Sequence, residues 1–176
     1  MHRPHASKDS SEFSVPIAVP AEAAPKSDGK LVIKGLYVGM DGDEAIKTIM
    51  EAAEGNIGTR PTSDPGAKGV DLLFHDPRWK SDAKQYAGGI HIDAKEGYVR
   101  EFYFLGPLAD YLFKTNDLTP EEFAQKFINA YNVPSLHVVT FQGKREWRYE
   151  SPRGWSLAIT QQKQVNVWMT TAPSFN

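Results

Sequence analysis

The residues best suited to chemistry are five scattered polar groups and one aromatic cluster. His75-Asp76, His91-x-Asp93 and His137 lie on or beside separate strand candidates. Three imidazoles and a carboxylate are the donor set of a zinc site, or of a small enzyme's acid–base pair. No pair has the His-x-x-x-His spacing that puts two ligands on one helix face, and His91 alternates with Ile90 and Ile92 on a polar strand face. The spacing therefore favours ordinary surface histidines over a metal site. Asp41, Asp43 and Glu44 lack the later bidentate Glu of a calcium loop and read as helix capping. Gly-x-Ser-x-Gly, P-loop and Gly-x-Gly-x-x-Gly signatures do not occur. The chain has no cysteine, which excludes thiol nucleophiles, disulfides, thiolate zinc and iron–sulfur clusters. No cofactor, metal or catalytic set is expected.

The aromatic cluster carries more information. Trp147, Tyr149, Trp155 and Trp168 fall close together near the C-terminus, with Arg145, Arg148 and Arg153 among them. Trp, Tyr and Arg are the side chains that dominate binding hot spots. Trp147, Tyr149, Trp155, Trp168, Arg145 and Arg148 are therefore the candidate partner-binding set, with core packing as the competing role. In the last strand Trp168 is out of phase with Val165, Val167 and Met169, so it faces away from that apolar set. A nucleic-acid reading is disfavoured: Glu146 and Glu150 interrupt the basic stretch, and the net charge is −2.

These residues need elements to hold them. Leu31–Tyr37 reads as a strand. Asp41 with Glu44 three residues later starts a helix whose stripe is Ile46, Ile49, Met50 and Ala53, ended at Gly55. Residues 55–69, rich in Gly, Pro, Thr and Ser, read as a loop. Strands follow at Val70–His75, Gly89–Ala94 and Tyr98–Leu105, with Gly88-Gly89 expected to form a bulge or turn. Pro107 suggests a short helix over Gly106–Thr115. Leu118-Thr119-Pro120-Glu121-Glu122-Phe123 combines an N-cap, a Pro at the first helical position, a capping box and a hydrophobic staple. Phe123, Phe127, Ile128 and Tyr131 line that helix's buried face. Four strands in tight succession close the chain: Leu136–Gln142, Arg145–Glu150, Trp155–Thr160 and Val165–Thr171. Their short connections demand antiparallel neighbours.

The fold class is therefore α+β, with helices packed on one face of an antiparallel sheet. The 176 residues suit one domain of two helix-plus-meander units, about 31–105 and 106–176. Residues 1–30, rich in Pro, Ala and Ser, are expected to be a flexible lead, with Ser14–Pro20 extended enough to dock on a sheet edge. No stretch is apolar enough for a membrane-spanning helix. Met1-His2-Arg3-Pro4-His5 is not followed by the apolar core of a signal peptide. That points to the cytoplasm, or to a periplasmic or membrane-tethered protein if a targeting segment precedes this sequence.

The segment Lys34-Gly35-Leu36-Tyr37-Val38-Gly39-Met40-Asp41-Gly42-Asp43-Glu44-Ala45 resembles a motif of the bacterial SmpA/BamE-like envelope modules. It is also similar in plan to the tandem-repeat beta-lactamase inhibitor protein. In both, a Gly-Met turn caps a short helix leading into an antiparallel meander. The resemblance implies a bacterial, non-enzymatic binding or assembly role and carries over no catalytic residue. The expected function is thus a protein-binding module using the exposed face of the C-terminal sheet. The alternatives are an inhibitor or immunity-type protein that blocks one enzyme, and a small enzyme or ligand-binding domain using His75, His91, Asp93 or His137.

Overall fold

The computed structural model describes residues 14–15, 29–63 and 67–171. The expectation of a flexible lead falls mostly outside the described residues. Among the described residues the fold is α+β, with three helices and an all-antiparallel sheet.

Ser14–Val15 (β1) pairs with the edge of a later strand. Helix α1 is Gly42–Ala52, followed by strands β2 (Ile57–Pro61), β3 (Lys68–Phe74), β4 (Gln85–Ile92) and β5 (Val99–Phe104). Helices α2 (Gly106–Phe113) and α3 (Pro120–Tyr131) come next. Strands β6 (Leu136–Phe141), β7 (Lys144–Glu150), β8 (Trp155–Thr160) and β9 (Val165–Met169) complete the chain. The sheet order is β1-β6-β7-β8-β9-β5-β4-β3-β2. Each run of four strands is a meander, and the two meet where β5 pairs with β9.

The helix starts follow from the sequence. Asp41 Oδ2 accepts the Glu44 N–H at 3.0 Å. At α3 the capping box is reciprocal: Thr119 Oγ1 accepts from the Glu122 N–H at 3.2 Å, and Glu122 Oε1 accepts from the Thr119 N–H at 2.9 Å. Asn132, at φ 55°, ends α3 in the left-handed conformation.

Side chains that pair across antiparallel strands share a face. One face carries Leu72, Phe74, Ile90, Phe102, Phe104, Val165, Val167, Leu157, Ile159 and Trp147, all buried with Ile49, Leu108, Phe123 and Ile128 of the helices. The bulge at His91/Ile92 explains why Val99 joins this core although it is out of step with Phe102.

Two sequence expectations are corrected. Residues 55–69 are not all loop, because Ile57–Pro61 forms β2 at the sheet's edge, where Gly58 and Pro61 are tolerated. Leu31–Tyr37 is not a strand. Lys34 (φ 53°) and Gly35 (φ 87°) form a two-residue reversal, closed by reciprocal Ile33–Leu36 backbone bonds of 2.9 and 2.8 Å. Gly88-Gly89, expected as a bulge or turn, lies inside β4, and the register shift between Leu72 and Leu73 falls beside Gly88.

Candidate functional site

The sheet's other face is open and polar. Two cross-strand rows build it. The first runs His91, Glu101, Trp168, Ser156 over β4, β5, β9 and β8. The second runs Gly89, Tyr103, Asn166, Ala158, Arg148, His137 as far as β6. The small residue Ala158 keeps the floor low, and the longer side chains on either side make a groove of about 920 Å³.

Several contacts organise the groove. The Arg148 guanidinium sits 5.4 Å from the centre of the Trp168 ring, a cation–π arrangement, while its Nε donates to Glu146 at 3.1 Å. Ser156 and Ala158, opposite these two side chains, are almost fully covered. His91 Nδ1 lies 3.2 Å from Glu101 Oε1, and its ring meets Tyr103 edge-on at 5.7 Å. Asn166 Oδ1 is enclosed with no hydrogen-bond partner among the described residues. Beyond the groove, the Tyr103 ring occupies the space that a side chain at Gly89 would need. Burial, together with the Tyr86 hydroxyl bonded to it, raises the Tyr103 hydroxyl well above the ordinary tyrosine pKa.

The groove's charge differs in sign from that of the whole chain. Lys68, Arg100, Lys144 and Arg148 line it against Glu101 and Glu146, with Arg145 at its edge already paired to Glu121, whereas the protein's net charge is −2.

The six residues of the sequence-derived binding set divide between the two faces. Trp168 and Arg148 lie together in the groove. Trp147 and Trp155, only 2% and 4% exposed, belong to the core. Tyr149 is on the helix side and packs against Trp155 at 5.4 Å. Arg145 reaches toward α3, bonding Glu121 at 2.9 Å, with its guanidinium 5.8 Å from the Trp147 ring. These last four therefore do not form one open face with Trp168. The Trp155 indole N–H donates to the Gly29 carbonyl, fastening the start of the domain to the sheet.

The histidines do not converge either. His91 is opposite Gly69 on β3, and His75 lies six residues further along that strand direction, about 20 Å away at ~3.4 Å per residue. That is far beyond the span of one zinc ion. No cluster of three metal-binding side chains occurs among the described residues. His137 is exposed on β6, and His75 Nδ1 is enclosed without a partner among the described residues. Asp93 closes the β4–β5 turn, accepting the Glu96 and Lys95 N–H groups at 2.7 and 3.1 Å. The Glu96 bond leads in holding its carboxyl below the usual range. Among the described residues, no helix is long and apolar enough to cross a membrane.

Sequence reasoning missed Glu101, Asn166 and the groove itself, because the site joins strands far apart in the chain. The alternation Glu146-Trp147-Arg148 was the available signal that Trp147 points inward. No family model matches this sequence, and searches of curated proteins and of solved structures return no similar protein.

Proposed function

We propose that this chain is a non-enzymatic binding module whose open sheet face receives an acidic segment of a partner protein. The observation that carries this reading is the groove's surplus of Lys and Arg in a net-acidic chain. Complementary charge of this kind speeds encounter and selects partners. The stacked Arg148–Trp168 pair in the same groove supplies the side-chain types that anchor interfaces. The plan of two helix-plus-meander units expected from the sequence and the resemblance of residues 34–45 to SmpA/BamE-like modules are consistent with this reading. An inhibitor or immunity-type role is the special case in which the partner is one enzyme.

The test is selection from a displayed library of ten-residue peptides, run in parallel on the wild type, Trp168→Ala and Lys144→Glu. Lys144 is exposed, so its reversal leaves the fold intact. The wild type should enrich Asp- and Glu-rich peptides. Trp168→Ala should weaken the best of them by about 2 kcal/mol, and Lys144→Glu should lose the acidic bias. A wild-type selection without that bias, or one reproduced by both variants, sinks the reading.

A further inference from the structure

A second depression lies on the helix side of the molecule, between the end of α2 and the flank of α3 where its buried aromatic stripe meets solvent. Phe113, Phe123, Phe127 and Tyr131 form its wall, and its volume is about 280 Å³. Liquid water takes about 30 Å³ per molecule, so the space corresponds to roughly nine waters. The rings are packed among themselves: Phe113 meets Phe127 at 5.6 Å and Tyr131 at 6.0 Å, both edge-on. Burial raises the Tyr131 hydroxyl pKa.

Three lysines stand on the rim. Lys34, Lys114 and Lys126 are all exposed, and no Asp or Glu lines the depression. Among the described residues none of the three ammonium groups is in an ion pair. The Lys34 ammonium lies 5.6 Å from the centre of the Phe113 ring.

Two of these lysines also occupy unfavourable backbone positions. Lys34 has φ 53° in the Ile33–Leu36 reversal, and Lys114 has φ 56° at the end of α2. Glycine is the residue that both positions favour. A lysine is less favourable there than glycine, and in both cases it brings a charge to the same apolar mouth.

We propose that this depression binds a small organic carboxylate with an apolar body, the ring or chain against the half-buried Phe113 and Tyr131 and the carboxylate among the three lysines. The site shares no residue with the open-face groove, so it stands independently of the function proposed above.

The probes are 1-naphthoate and its neutral amide, titrated into isotope-labelled protein and followed by amide chemical shifts. Naphthoate should shift residues 112–115 and 123–131 and leave the groove strands unmoved. The amide should bind at least fivefold more weakly. Lys34→Gly and Lys114→Gly test the backbone argument: each should match or exceed the wild type in thermal midpoint, and the pair together should weaken naphthoate binding about fivefold to tenfold. Ala130→Trp, at an exposed lining position, should close the mouth and abolish the shifts in a folded protein. Equal binding of acid and amide would overturn the proposal. So would shifts scattered over the surface, no shifts at millimolar probe, or full affinity in the double glycine variant.

Discussion

Truncating Trp147 and truncating Trp168 should have opposite consequences, although the two residues share one hairpin-rich region and one chemistry. Trp147 is 2% exposed, packed on the helix side between Val138 and Ile159 on the neighbouring strands. An indole buries about 200 Å². At about 25 cal/mol per Å² that is an upper estimate of about 5 kcal/mol. Allowing for the retained Cβ and partial collapse, Trp147→Ala should cost about 3–5 kcal/mol. Trp168 is only partly buried, and its definable loss is the stack with Arg148, worth about 0.5–1 kcal/mol at such a site, plus partial burial. Trp168→Ala should therefore cost about 1–2 kcal/mol in stability. Urea unfolding followed by far-ultraviolet circular dichroism gives both numbers from the midpoints, provided the slopes agree. The expected gap is about 2 kcal/mol or more, a large part of a typical domain's total of about 5–15 kcal/mol. Equal costs, or a larger cost at Trp168, would show that Trp168 is a core residue and would remove it from the proposed binding face.

Two further predictions concern the scaffold. Asp76 is 1% exposed and accepts from the backbone N–H and the side-chain Nε of Arg78, each at 2.9 Å. The Arg78 hydrogen bonds hold its carboxyl below the ordinary carboxylate value, so the unfolded chain takes up a proton first and this stabilisation is lost as pH falls below about 4. Asp76→Asn should cost about 2 kcal/mol at pH 7, and the gap from the wild type should narrow in urea titrations at pH 3; a gap of constant size would contradict the assignment. Gly69 has φ 135°, and a Cβ there would run into the Ile90 carbonyl of β4. Gly69→Ala should lower stability by more than about 2 kcal/mol, and a calorimetric midpoint within a degree of the wild type would refute that geometry.

The sequence is most readable where the determinants are local. Thr119, Pro120 and Glu122 specify the start of α3 within four residues, and the structure has the reciprocal cap. The α+β class and the antiparallel sheet follow from short connections, which leave adjacent strands no other geometry. Edges and reversals are harder to read. β2 is composed like a loop because an edge strand tolerates Gly58 and Pro61, and only pairing with β3 makes it a strand. Lys34 conceals a turn because positive φ is expected of glycine, not lysine. At the site, alternation in β9 places Trp168 opposite the apolar set. The faces of Trp147 and Trp155 depend on which side the helices cover, and the sheet's register decides that. Glu101 and Asn166 become groove residues only through the β5–β9 pairing, which no local pattern announces.

That pairing has a consequence for how the protein acquires its site. Each meander assembles from neighbouring hairpins, whereas β5 and β9 must find one another across α2, α3 and three strands. Apart from the two-residue β1–β6 contact, this is the longest connection the sheet must close, and it should come late in folding. The groove straddles this seam, with His91 and Glu101 on one side and Asn166, Trp168 and Arg148 on the other. Neither meander alone carries the whole site. A half-folded chain, whether newly made or partly unfolded, carries only fragments of the groove. Under the binding function proposed above, occupancy would act as a proofreading step, in which a partner is captured only by molecules whose seam has closed and each capture holds that seam shut.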